Sequence, residues 1–178
     1  MASEGARLYR PGHACARHRA SEGRPGDRRP TGRVARPRRQ RRRTACVVPR
    51  ASATFVNTSY DEEPYDDRDG TVLGRIHIAR TFTGDLEGES SAELLTARTE
   101  TGAAAYVALD RIAGRLRDRA GSFVLAHHGT ITAAGSENAA SVVPDSGTGE
   151  LAGLRGRGSI SVAEDGTHVL MLDYEFDR

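Results

Sequence analysis

An all-β domain, a barrel or a sandwich behind a disordered basic tail, is the fold class that three observations predict. Short β-branched and aromatic runs recur at fairly regular spacing between turn signals along residues 51–178. Residues 141–158, SVVPDSGTGELAGLRGRG, place five glycines, at 147, 149, 153, 156 and 158, between two β-branched runs. Glycine accepts positive φ or close backbone approach without steric cost, so this is the chemistry of turns and bulges. The charge is also split in two. Residues 1–50 hold 15 of the 26 arginines against only Glu4, Glu22 and Asp27, a net of +12, whereas residues 51–178 hold 11 arginines and 21 acids, a net of −10.

The basic segment, residues 1–50, carries five of the seven prolines and almost no apolar periodicity. It cannot bury enough surface to offset the entropy of ordering its chain, and it is expected to be disordered. The remainder, 51–178, is long enough to bury one core and is expected to fold alone. The run RRQRRR at 38–43 binds nucleic acid by charge alone if the tail is functional. The favoured alternative is an uninterpreted leader, because charge runs alone are weak evidence. Only ACVV at 45–48 is apolar before Pro49, too short for a secretory centre, and no run approaches the roughly 18 apolar residues of a membrane span. A cytoplasmic protein without membrane contact is the default expectation. Cys15 and Cys46 both lie in the tail, and with His13 and His18 they miss zinc spacing, so no metal is expected.

Along the domain, ASATFVNTSY at 51–60 reads as a first strand, and residues 61–69, with six acids and Pro64, as a solvated acidic loop lacking calcium-loop spacing. TVLGRIHIARTFT at 71–83 alternates, with Ile76, Ile78, Arg80 and Phe82 on one side and His77, Ala79 and Thr81 on the other, and is a strand. Gly84, Asp85, Glu87 and Gly88 make a turn. Two segments then carry conflicting signals. Ser90 with Glu93 resembles a helix capping box, and Leu109, Ile112 and Leu116 sit at helical spacing, while glycines 102, 114 and 121 oppose a long helix. GSFVLAHHGT at 121–130 is a strand with Phe123, Leu125 and His127 on one face. Gly135 and Asn138 fit a turn, residues 139–143 and 159–162 two strands, Asp165 and Gly166 a tight hairpin turn, and HVLMLDYEF at 168–176 the last strand.

Nucleotide chemistry is excluded by context. Gly147, Gly149 and Ala152 satisfy the dinucleotide glycine spacing, but Glu150 would stand beside the diphosphate and three more glycines follow where a helix should propagate. A phosphate loop of the Walker type needs a lysine, and the chain has none. No serine stands on a strand-to-helix elbow.

FTGDLEGESS at 82–91, GSFVLAHHGT at 121–130, VVPDSGTGELAGLRGRGS at 142–159 and LDYEF at 172–176 together resemble a bacterial family, domain of unknown function 3224. The resemblance covers about 51–178. It implies a small eight-stranded antiparallel barrel, similar in fold to allene oxide cyclases and more distantly to dirigent proteins. Such barrels are often oligomeric around an interior that holds an apolar ligand. The resemblance also makes strands of the two ambiguous segments. Three departures stand out: Asp110 where glutamate is usual, Asp145 where glycine is usual and Ala126 where glutamine is usual. No motif carries over the cyclase's catalytic residues, so enzymatic activity and cofactors are not implied.

A barrel of about eight strands can be filled by side chains or hold one small ligand. The candidate ligand-binding residues are Glu93, Tyr106, Asp110, His127 and Tyr174, polar groups within strands that need partners if they face inward. A desolvated carboxylate beside His127 has the makings of acid–base chemistry. Three readings follow: a barrel binding a small apolar molecule without chemistry, an isomerase or cyclase on an apolar substrate, and a structural homo-oligomer.

Overall fold

A computed structural model describes residues 48–177. The expected leader therefore lies outside the described residues, apart from Val48, Pro49 and Arg50, and so do the 38–43 arginine run and both cysteines. Eight strands form one closed antiparallel barrel in sequence order. They are β1 (Arg50–Arg68), β2 (Thr71–Gly84), β3 (Leu86–Thr99), β4 (Ala104–Leu116), β5 (Arg119–Thr132), β6 (Gly135–Val142), β7 (Leu154–Val162) and β8 (His168–Phe176). The ring closes where Arg50 to Phe55 of β1 pair with Asp173 to His168 of β8. Closure removes the unpaired edges that an open sheet would expose. Among the described residues no helix is long and apolar enough to cross a membrane.

The expected acidic loop at 61–69 is instead the far half of β1, paired with β2 as far as Arg68 opposite Thr71. The β2 backbone offers a continuous ladder there, while register shifts between Asn57 and Ser59 and between Pro64 and Asp66 accommodate a proline without an N–H. The turn expected around Gly84 is tighter, since Glu87 and Gly88 already belong to β3, and Asn138 lies inside β6. Both ambiguous segments are strands. Their helical spacing was fortuitous: Ile112 and Leu116 point inward, whereas Leu109 is on the opposite face and 58% exposed.

One end of the barrel is filled. Leu86, Leu116, Phe123, Leu125, Leu154, Leu170 and Leu172 pack there, all 2% exposed or less, each contributing roughly 1.5–3 kcal/mol of burial. The glycine-rich stretch runs alongside β5 beyond the end of β6, its Val143 and Thr148 amides donating to the Val124 and Ser122 carbonyls. Its short 3-10 turn, Gly149–Leu151, buries Leu151 in the core. Side chains stand in for strand pairing along β5: Ser146 Oγ accepts from the Val124 amide, Thr148 Oγ1 from Ser122, and Glu150 Oε2 from Ala120. Gly147 is required by close approach, because a Cβ there would stand 1.9 Å from the Leu151 carbonyl oxygen. Asp145 holds φ at +60°, a left-handed backbone that glycine adopts without steric cost.

Candidate functional site

At the other end the period-two alternation of β2, β3 and β4 points a second apolar group inward: Ile76, Ile78, Ala92, Leu94 and Ala108, with Tyr106 packed against it. Between this cluster and the filled core lie the buried polar side chains Arg80 (6% exposed), Ser90, Asp110 (1%) and His127 (4%). Arg80 on β2 reaches across β3 to β4, where its Nη1 donates to Asp110 Oδ2. The intervening β3 positions are small, Ser90 opposite Arg80 and Ala92 opposite Asp110, and that leaves room for the guanidinium. The Arg80 guanidinium also lies 5.2 Å from the centre of the Phe55 ring.

His127 meets the edge of Tyr106, with ring centres 5.5 Å apart and planes at 70°. Burial first, then the Arg80 charge, pushes the His127 pKa down to about 4 against the smaller opposing pull of Asp110. The imidazole is therefore neutral at pH 7, with one nitrogen a donor and the other an acceptor. Burial raises the Tyr106 phenol, with Arg80 acting in the opposite sense. Among the described residues five buried polar atoms have no partner: Arg80 Nε, Ser90 Oγ, Asp110 Oδ1 and both His127 nitrogens. Native interiors leave few such groups, and their concentration in one layer marks a functional candidate.

Above this layer is a cavity of about 430 Å³. Arg80 and His127 contribute to its floor, Phe55, Ile76, Ile78, Leu94 and Tyr106 to its walls, and Arg98, Glu137 and Val162 to its exposed mouth. It falls within the roughly 300–1,000 Å³ typical of small-molecule sites, and its walls are chiefly apolar. The mouth lies beside the weakest seam of the barrel, where β6 and β7 pair only at Ala140 with Gly158 and Ser141 with Arg157. Beyond those pairs Asn138 substitutes for the ladder, accepting from the Ile160 amide at 2.7 Å and donating to its carbonyl at 2.5 Å.

Of the five residues singled out by sequence, Tyr106, Asp110 and His127 come together. Glu93 does not: it faces outward and pairs with Arg75 at 2.9 Å, and that hydrogen bond lowers its pKa. Tyr174 is buried in the filled core near Phe176 and does not line the cavity. Sequence reasoning missed Arg80 and Asn138 as site residues. The signal for Arg80 was present, a charge on the face shared with Ile76, Ile78 and Phe82. No hydrogen bond joins Asp110 to His127; the carboxylate is engaged by Arg80 instead.

A larger groove of about 680 Å³ runs over the outside of β2 to β6, bordered by Arg75 and Glu93 and containing Leu95, Val107 and Leu109. These three side chains are 52–58% exposed, and Leu95 and Val107 are direct cross-strand partners.

Comparison with known proteins places these observations in a family context. A family model described as protein of unknown function (DUF3224) matches residues 51–174. Among solved structures, the chain is similar to a protein of unknown function from the DUF3224 family of Shewanella oneidensis MR-1. The two share 36% sequence identity over 73% of this chain and 98% of that one, with a TM-score of 0.63. No curated protein matches.

Proposed function

The chain belongs to the DUF3224 family, and from that premise we propose that its barrel binds a small, largely apolar molecule in the cavity above Arg80 and His127. The carrying observation is the combination of a 430 Å³ apolar-walled space with Arg80 and His127 in its lining, two residues that hold buried polar atoms without partners. Binding without turnover is favoured because the Asp110 carboxylate is held by Arg80, which leaves His127 no carboxylate partner for an acid–base relay. The test is thermal unfolding of the full-length chain with medium-chain alcohols, amides and ketones. A ligand at one hundred times its Kd adds about 2.7 kcal/mol, and Leu94→Trp, which fills the cavity, should abolish the shift. A melting temperature indifferent to every compound tested would dismiss the proposal.

A homo-oligomer is part of the same reading, supported by the exposed Leu95, Val107 and Leu109 on adjacent strands. The border of their groove carries charges of both signs, Arg75 and Glu93, so two copies can meet there without net repulsion. Light scattering should give a mass that is a multiple of the chain's 19.1 kDa, and a monomer at all concentrations would remove this part. We place the protein in the cytoplasm on the absence of an apolar secretory centre in its sequence. Fractionation of cells expressing the full chain tests that assignment.

A further inference from the structure

We infer that the cavity takes an uncharged ligand whose hydrogen-bonding head, a hydroxyl, carbonyl or carboxamide, seats against Arg80 and His127. This rests on the ligand-binding reading and adds the chemistry of the head. Both arginines that line the cavity already hold a carboxylate: Asp110 pairs with Arg80 at the floor, and Glu62 pairs with Arg98 at 2.5 Å near the mouth. Glu137 adds a further negative charge to the lining. An anionic head drawn to Arg80 would meet Asp110 on the far side of the same guanidinium. Its repulsion by that carboxylate offsets the attraction, while the cost of removing its own charge from water remains.

A cationic head fares no better at the floor, because the Arg80 charge stands there beside His127. What the floor offers is hydrogen bonding without net charge. Arg80 Nε–H, a donor, and the neutral His127 ring, with one donor and one acceptor, lie buried without partners beneath the cavity, and a head that displaces the side chains covering them satisfies them. A hydroxyl or carboxamide can both donate and accept, and a carbonyl satisfies the two donors. The walls of Ile76, Ile78, Leu94 and Tyr106 take the apolar body.

The experiment is titration calorimetry on the full-length chain at pH 7.5 with four probes sharing one hydrocarbon chain: octanamide, 1-octanol, octanoate and octylamine. Octanamide or octanol should bind at least tenfold more tightly than octanoate and octylamine. Arg80→Gln should weaken octanamide tenfold or more. Asp110→Asn, which leaves the Arg80 charge without its counterion, should move the preference toward octanoate by at least tenfold. If octanoate or octylamine binds the unmodified chain as tightly as the neutral probes, the inference falls while the ligand-binding reading stands. If none of the four binds, both fall. Should Asp110→Asn fail to fold, the ranking on the unmodified chain decides alone.

Discussion

Asp110→Asn removes one charge from the buried layer while keeping the shape of the side chain. The perturbation is severe because neither partner has solvent to fall back on: Arg80 is 6% exposed and Asp110 1%. Removing one member of a buried ion pair costs about 3–5 kcal/mol, since the surviving charge has lost its counterion without regaining water. The asparagine oxygen still accepts one bond from Nη1, which argues for the lower end, about 3 kcal/mol. With an unfolding entropy near 2.1 cal/mol/K per residue over roughly 130 folded residues, that loss lowers the melting temperature by about 11 °C. Thermal and urea unfolding followed by far-UV circular dichroism measures it. The double variant Arg80→Met with Asp110→Leu should recover to within about 1 kcal/mol of the parent, because an apolar pair of similar volume avoids the desolvation of both ions. A single variant that loses less than about 1 kcal/mol would mean that water reaches the guanidinium and that the layer is not sealed.

Three other outcomes follow from the same geometry. The His127 pKa is about 4 in the folded chain against 6.5 for an ordinary histidine, so between those values the unfolded chain binds a proton that the folded chain refuses. Its contribution is therefore complete above about pH 6.5 and is lost as the pH falls toward 4, by up to about 3 kcal/mol; His127→Gln should flatten that part of the stability–pH curve, and parallel curves would contradict the assignment. Asn138→Ala should cost about 1–2 kcal/mol and speed hydrogen exchange of the Ile160 amide, which it holds at 2.7 Å; unchanged exchange would show that the seam is sustained by other contacts. At Asp145, whose φ is +60°, substitution by glycine should be neutral or stabilising, while valine should cost about 1–2 kcal/mol. Equal melting temperatures for the two variants would mean that the left-handed backbone at this position carries no strain.

The sequence was most legible where one periodicity had no rival. Alternation alone placed Ile76, Ile78, Arg80 and Phe82 together, and likewise Phe123, Leu125 and His127, because the face of a strand residue is a local property. It failed at Leu109, Ile112 and Leu116, whose spacing serves a helix equally well, and at the acidic half of β1, whose ladder is supplied by a different strand. Glu93 and Tyr174 show two further kinds of failure. The first needed the facing of its own strand, which the capping-box signal obscured. The second faces inward but at the filled end, a height fixed by its pairing with Gly156 and not written in its neighbours. The Arg80–Asp110 pair was hidden for a related reason, since it spans an intervening strand and depends on Ser90 and Ala92 being small.

The packed end bears on how the proposed site would be reached. With Leu151 in the same packed core as Phe123 and Leu125, that end offers no passage, and on the proposed ligand-binding reading an occupant would enter and leave past Arg98 and Glu137. On that reading, widening the doorway would speed arrival and departure together, altering how quickly a ligand exchanges far more than how firmly it is held.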